Sequence, residues 1–305
     1  PTRTTFPVRS ACALISFHNH LEFIMQIRHS IRFTAGLMAL ASISASALAD
    51  QWQDIQQRKE LRCATFADVP PFAAPDPKTR EMVGFDVDMC NALAKQLGLK
   101  ASVTPVSVEA RVPEVKTGRV DVTVANLAYT LGRAEQIQFS HPYYLAKEML
   151  AVKASDAGTK KADFKGKRIA STKGSTSELS IKLNGSEPVT FQDTGSVYMA
   201  VQQNKALGMV ANTMTITKLV AQSKTGGAVE MKMIQEPMAF QPIGVGLKKD
   251  EPQLLAKVND ALLAMDKSGE INRIWDKWLG PNTEFKMTRD EKVVPLSELK
   301  FDPLP

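Results

Sequence analysis

Cysteine is scarce in this chain. It occurs three times in 305 residues, and only Cys63 and Cys90 lie beyond residue 49. Those two lack the spacing of a metal-ligand pair, so a thiolate metal centre is excluded. Long apolar runs are missing too. Beyond residue 49 none approaches 18 residues, the length a membrane-crossing helix needs. An excess of basic charge is nearly absent. Leaving out Arg3, Arg9, Arg28, Arg32 and Glu22 with the N-terminal segment lowers the net charge from +6 to about +3. That is too weak a bias for a nucleic-acid partner. No Lys follows Gly174-Ser175-Thr176 as a phosphate loop would require.

What is present starts with an export signal. Arg28, His29 and Arg32 form a basic region, Phe33 to Ala45 is uncharged and rich in Ala, Leu and Ser, and Ala47-Leu48-Ala49 is a small-x-small cleavage site. Residues 25–49 therefore read as a signal peptide, with the mature chain starting at Asp50. No Cys follows the cleavage site, so no lipid anchor is expected. Residues 1–24 begin without Met and read as upstream sequence translated in frame, not as part of the fold.

The remaining chain alternates strands and helices. Leu61 to Phe66 reads as a buried strand. Asp86 to Leu97 reads as a helix with Met89, Cys90, Leu93, Ala94 and Leu97 on one face and Gly98 as its stop. Strand Ala101 to Val106, helix Glu109 to Thr117 and strand Val120 to Ala125 complete a βαβαβ unit. A second such unit runs from strand Lys167–Ser171 through helices near Ser177 and Ser196 to strand Gly208–Ala211. Helix Thr213–Ala221, strand Glu230–Ile234 and C-terminal helices follow, the last of these carrying Ile274, Trp275 and Trp278. Extended stretches Glu148 to Lys153 and Ile243 to Leu247 flank the second unit and read as two crossings between lobes. The expected domains are 50–147 with 243–305 as the first lobe and 148–242 as the second, with a ligand cleft between them. The tail from Pro281 to Pro305 is expected along the surface.

Cys63 falls in the first strand and Cys90 on the inward face of the following helix. Such elements pack about 10 Å apart, long for a disulfide. Two buried free thiols are the expectation, although an oxidising compartment permits pairing and the question stays open.

Several segments occur in the order seen in a known family. They are Pro70-Pro71-Phe72, Gly84-Phe85-Asp86-Val87-Asp88, Val112-Pro113 with Gly118-Arg119-Val120-Asp121, Thr130 to Arg133 with Phe139-Ser140-x-Pro142-Tyr143-Tyr144, Phe164-Lys165-Gly166-Lys167, the Gly174-Ser175-Thr176 turn, and Ile274-Trp275-x-x-Trp278. On these residues the chain, from about Leu61 to Gly280, resembles the periplasmic solute-binding proteins of polar amino-acid ABC transporters. The resemblance implies an α/β, two-lobed periplasmic-binding-protein fold. Each lobe would be a mixed, mostly parallel sheet flanked by helices. It implies a monomer that captures a small carboxylate and delivers it to an ABC permease of the inner membrane, with no cofactor, no metal and no catalysis. The rival is an exported enzyme similar to cyclohexadienyl dehydratases, for which Glu178 is the nearest candidate acid.

The resemblance also implies a site. Thr130 reads as a helix N-cap, which places Arg133 in the first helical turn, where a guanidinium can grip a carboxylate in bidentate fashion. Ser175 and Thr176, opening a helix, would donate to the same carboxylate from the second lobe. Asn126, Thr172, Phe66 and Phe72 complete the expected ligand-facing set. Asp86 is expected to cap its helix, and Tyr143 and Tyr144 to pack behind the cleft. Three positions depart from the family's pattern. Ala128 stands where Ser or Thr is usual, Asn212 where an acid usually meets the ligand's ammonium, and Phe66 where Asp is frequent. Val69 and Val108 stand where aromatics are frequent. A buried ammonium needs a counter-charge. Either Asp193 or Asp68 supplies it, or the ligand has no free ammonium.

Overall fold

The computed structural model describes residues 51–305 except Gly226 and Asp302. The signal-peptide reading of 25–49 lies outside the described residues. In chain order the elements are α1 (Gln51–Arg58), β1 (Glu60–Phe66), β2 (Ala74–Pro75), β3 (Met82–Val83), α2 (Phe85–Gln96), β4 (Lys100–Val106), α3 (Arg111–Lys116), β5 (Val122–Thr123), α4 (Leu131–Ala134), β6 (Gln138–Phe139) and β7 (Tyr144–Lys153). There follow β8 (Arg168–Thr172), α5 (Thr176–Leu183), β9 (Glu187–Phe191), α6 (Thr194–Gln202), β10 (Gly208–Asn212), α7 (Thr213–Ser223), β11 (Met231–Met233), β12 (Ala239–Ile243), β13 (Gly246–Leu247), α8 (Pro252–Lys267) and α9 (Glu270–Trp278).

Two sheets organise the molecule. The first has the order β4-β1-β5-β13-β6 and the second β11-β7-β10-β8-β9, with β12 also on β7. Strand β1 is parallel to both β4 and β5, and β8 to both β9 and β10. Strands β7, β12 and β13 supply the antiparallel pairings. The α/β, two-lobed fold with mixed sheets is thus as expected, but the sheets are not mostly parallel: two of four pairings in the first and two of five in the second are parallel. The crossing strands are β7 and β12, paired from Tyr144↔Ile243 to Glu148↔Ala239. The second crossing therefore precedes the expected stretch Ile243 to Leu247, because Gly246 and Leu247 already pair in the first sheet. Tyr144, Ala146 and Ile243 pack in the core of the first sheet, whereas Met149 and Leu150 pack against elements of the second. Tyr143 and Tyr144 are buried beside Phe85, and Tyr144 also stacks edge-on against Trp275.

Three local expectations need correction. Cys63 and Cys90 form a disulfide, with Cα atoms 6.4 Å apart. The small residues Ala64 and Ala94 are buried near them, and α2 lies close enough on β1 for the side chains to converge. Asp86 does not cap α2; Gly84 holds the N-cap position, with no side-chain cap bond. Gly84 has φ +146°, and a Cβ there would lie 2.1 Å from the Phe72 carbonyl oxygen. That close approach lets Phe85 N and Asp86 N donate to the carbonyls of Pro71 and Phe72, which fixes the loop carrying Phe72. Finally, the tail is more than a surface strap. Val293 and Leu304 are buried, and Leu131 N donates to the Leu304 carbonyl. The almost wholly buried Arg289 guanidinium donates to Tyr143 O (2.8 Å), Asp266 Oδ1 (2.7 Å) and Asn272 Oδ1 (2.7 Å).

Arg289→Ala strips charged hydrogen bonds from a carboxylate and a hinge carbonyl. It is expected to destabilise the fold by about 1.5–3 kcal/mol, read as a lowered denaturant midpoint. An unchanged midpoint would show the tail to be energetically idle. No helix among the described residues is long and apolar enough to cross a membrane.

Candidate functional site

A small cavity of about 60 Å³ opens between the two sheets. Its first wall is apolar. Phe66 ends β1, and Val69 and Phe72 lie on the loop that α2 pins; Val108 precedes α3. Phe66 and Phe72 have ring centroids 6.2 Å apart. The facing wall is polar and comes from the ends of β8 and β10 and the starts of α5, α6 and α7: Thr172, Ser175, Thr176, Ser177, Thr194, Ala211, Asn212 and Thr215. Strand C-termini facing helix N-termini place backbone N–H groups and short hydroxyls at one spot. Asn126 and two charged residues, Arg111 and Glu148, complete the lining.

Of the residues singled out from sequence, Phe66, Phe72, Asn126, Thr172, Ser175, Thr176 and Asn212 line this cavity. Arg133, Ala128 and Asp193 do not. Thr130 caps α4 by accepting from Arg133 N at 3.1 Å. The half-buried Arg133 side chain donates from Nη1 to Ala128 O (2.8 Å) and from Nη2 to Gly174 O (3.2 Å). It thus bridges the sheets at the rim, next to Ser175, and makes no ion pair with Glu135 or Asp163. Burial lowers its guanidinium to about 10, offset by Glu148, so it stays a cation at neutral pH. Lys173 and Glu109 form a second bridge between the sheets, at 2.9 Å.

Asp193 is consumed elsewhere. It caps α6, accepting from Ser196 N (2.7 Å) and Ser196 Oγ (2.8 Å), and those bonds lower its carboxyl. Asp68 is exposed and outside the cavity. Neither is placed to be the counter-charge considered from sequence. Glu178 pairs with Lys182 at 2.7 Å and accepts from Gly174 N, also outside the cavity. Asn212 Oδ1 caps α7 by accepting from Met214 N (3.0 Å), while its buried Nδ2 has no partner among the described residues.

Two charged groups were missed. Arg111 is buried at the start of α3, its guanidinium 4.9 Å from the centre of the Phe66 ring. Its Nε donates to Val108 O (2.9 Å) and its Nη1 to Ala125 O (3.0 Å). Burial and the neighbouring Arg133 push its pKa well down, against the pull of Asp86 and Glu148. Asp86, which interacts with it electrostatically, is fully buried, with neither oxygen at hydrogen-bond geometry to a partner. Burial pushes Asp86 well up, offset by the Asn126 backbone N–H and Arg111. Asn126 has φ +43°, and its Oδ1 accepts from the Tyr144 hydroxyl.

Glu148 is the second. It is buried, and its Oε2 accepts from Ser177 Oγ (2.6 Å) and its Oε1 from Thr176 Oγ1 (3.2 Å). Burial raises its pKa; the Ser177 and Thr176 hydroxyls and Arg133 oppose the rise. The Thr176 hydroxyl also lies 3.0 Å from Gln241 Oε1, while buried Gln241 Nε2 has no partner at hydrogen-bond geometry. The Gln241 amide also opposes the rise at Glu148, so its nitrogen end faces that carboxylate. The available signal for Glu148 was weak: a carboxylate at the head of the apolar run Met149 to Val152, directly after Lys147.

Comparisons with known proteins agree with this architecture. The model of bacterial extracellular solute-binding proteins, family 3, matches residues 61–281. The chain is 27% identical over 254 residues to the L-cystine-binding protein TcyJ of Escherichia coli (strain K12), across 80% of this chain and 94% of that protein. It is 25% identical to the ABC transporter arginine-binding protein 1 of the same strain, across 72% of this chain and 90% of that one. Among solved structures it is similar to an ancestral amino-acid-binding protein described as a precursor of cyclohexadienyl dehydratase. That match has 28% identity and a TM-score of 0.67, and it covers 76% of this chain and all of that one. The chain belongs to the bacterial extracellular solute-binding proteins, family 3.

Proposed function

We propose that this protein is the periplasmic binding component of an ABC importer. It captures an amino acid or amino-acid-like small carboxylate by lobe closure and hands it to an inner-membrane permease. Export would use residues 25–49, and the protein would act as a monomer. The lobes are 50–147 with 243–305, and 148–242, in keeping with the change of core packing between Ala146 and Met149. The observation that carries the reading is the cavity itself. Apolar side chains on one wall face hydroxyls and a helix start on the other, with Arg111 in the lining and Arg133 at the rim.

Binding is read as ligand-induced thermal stabilisation across the standard amino acids and L-cystine, since a binder raises apparent stability by mass action. Stabilisation by none of them or of their deamino analogues counts against the proposal.

The similarity to a dehydratase precursor raises an enzymatic reading. Glu178 speaks against it, being tied to Lys182 outside the cavity. Incubation with prephenate is expected to give no product.

Loading requires motion. The cavity holds about 60 Å³, far below the roughly 300–1,000 Å³ of ordinary small-molecule sites. The lobes must part to admit an amino acid. Small-angle scattering is expected to show a smaller radius of gyration with a stabilising amino acid than without it. An unchanged radius would argue against the hinge.

A further inference from the structure

Asn212 and Glu148 are direct cross-strand partners in the β10–β7 ladder. Paired residues of an antiparallel ladder project from the same face with Cβ atoms about 5 Å apart, and both line the cavity. We propose that Glu148 is the counter-charge for a ligand ammonium, so that the site selects zwitterionic amino acids over the matching amine-free carboxylates. This rests on the carboxylate-capture function proposed above.

Elimination supports it. Glu148 is the only acid among the described residues that lines the cavity. Asp193 is spent on the α6 cap, Glu178 on Lys182, Asp68 is exposed, and Asp86 is fully buried and outside the lining. Asn212 cannot substitute, because its Oδ1 is engaged by Met214 N and its remaining group is a donor.

Glu148 has room for the role. A carboxylate offers about four acceptor sites; Ser177 and Thr176 occupy two and the Gln241 amide faces a third, which leaves one for a ligand. Those hydroxyls fix the side chain before any ligand arrives, as a binding group needs. The charges also alternate. Arg133 and Arg111 stand on the first-lobe side and Glu148 on the second. An α-amino acid would bring its carboxylate to the guanidinium groups and its ammonium to Glu148. An amine-free carboxylate would leave Glu148 with hydroxyl donors but no ligand counter-charge in the filled cavity, a costly arrangement for a buried acid.

The test compares matched pairs by calorimetry: L-arginine with 5-guanidinopentanoate, L-cystine with dithiodipropionate, and the other standard amino acids with their deamino analogues. Wild type is expected to favour the amino acid of its best pair by at least about tenfold. Glu148→Gln, nearly isosteric, is expected to erase that ratio while still binding the analogue. Adding Asn212→Asp to Glu148→Gln is expected to restore it, since the new acid faces the same spot. A merely structural Glu148 would weaken both members of each pair alike and leave the ratio untouched. That outcome overturns the assignment, as does equal wild-type binding of both members; in either case carboxylate capture stands. Failure of every amino acid and every analogue to bind wild type overturns the function proposed above together with this assignment.

Discussion

Arg133→Ala is expected to remove most ligand-induced thermal stabilisation while leaving the unliganded fold intact. The fold should survive because Thr130 caps α4 through the backbone N–H of residue 133, which alanine keeps. The lost group matters because of where it reaches. Its Nη2 donates across the cleft to the Gly174 carbonyl, one residue before the Ser175-Thr176 turn that lines the cavity. With its pKa near 10 it is charged at neutral pH. A carboxylate lodged at that turn would exchange a neutral carbonyl acceptor for a charged one, and charge-assisted bonds are about twice as strong. Removing one member of a charged hydrogen bond costs about 1.5–3 kcal/mol, about one to two powers of ten in affinity. A full thermal shift retained by the mutant would make Arg133 a tie between lobes and nothing more. Arg111 would then be the anchor, because its Nη2 makes no hydrogen bond to the described protein while the rest of its guanidinium is fixed on backbone carbonyls.

The sequence disclosed the parts of this molecule that depend on local periodicity. Alternating strands and helices follow from apolar spacing that each element needs to bury one face, and α2, α5, α7 and α8 lie close to where that spacing puts them. The Thr130 cap and the Gly174-Ser175-Thr176 turn were legible for the same reason, since a cap is a contact within one turn. What was hidden depends on pairings distant in sequence. Nothing in the run Glu148 to Val152 says that Glu148 will lie opposite Asn212, because only the β7–β10 register brings them together. Arg111 looked like an ordinary helix residue until α3 placed it over Phe66. Asp193 is the converse. Its residue type suits an ammonium, but a serine three residues on claims it as a cap. Functional residues were thus missed where long-range geometry decides, and overassigned where a local hydrogen bond competes.

Replacing Cys63 and Cys90 together by alanine is expected to cost about 3.5 kcal/mol of stability. The bridge closes a segment of 27 residues, and the chain-entropy relation for a loop of that length gives about that figure. Both sulfurs lie in the buried core of the first lobe, joining β1, which lies between β4 and β5, to α2. The closed segment holds Phe66, Val69 and Phe72, all of the cavity's apolar wall except Val108. The bond therefore acts twice, limiting the unfolded chain and fastening the segment that shapes that wall. A strand and helix packed as generic cylinders about 10 Å apart would keep two such thiols free. In fact β1 and α2 approach to 6.4 Å between these Cα atoms, inside the range a disulfide spans. Denaturant unfolding of residues 50–305, with and without reductant, measures the effect. Reduction of wild type should lower the midpoint to near that of the double alanine variant, and the variant should not respond to reductant. Thiol titration of the unreduced, unfolded chain should find no free sulfhydryl. Two titratable thiols, or a midpoint indifferent to reductant, would return the pair to buried free cysteines and remove the fastening of the Phe66–Phe72 wall.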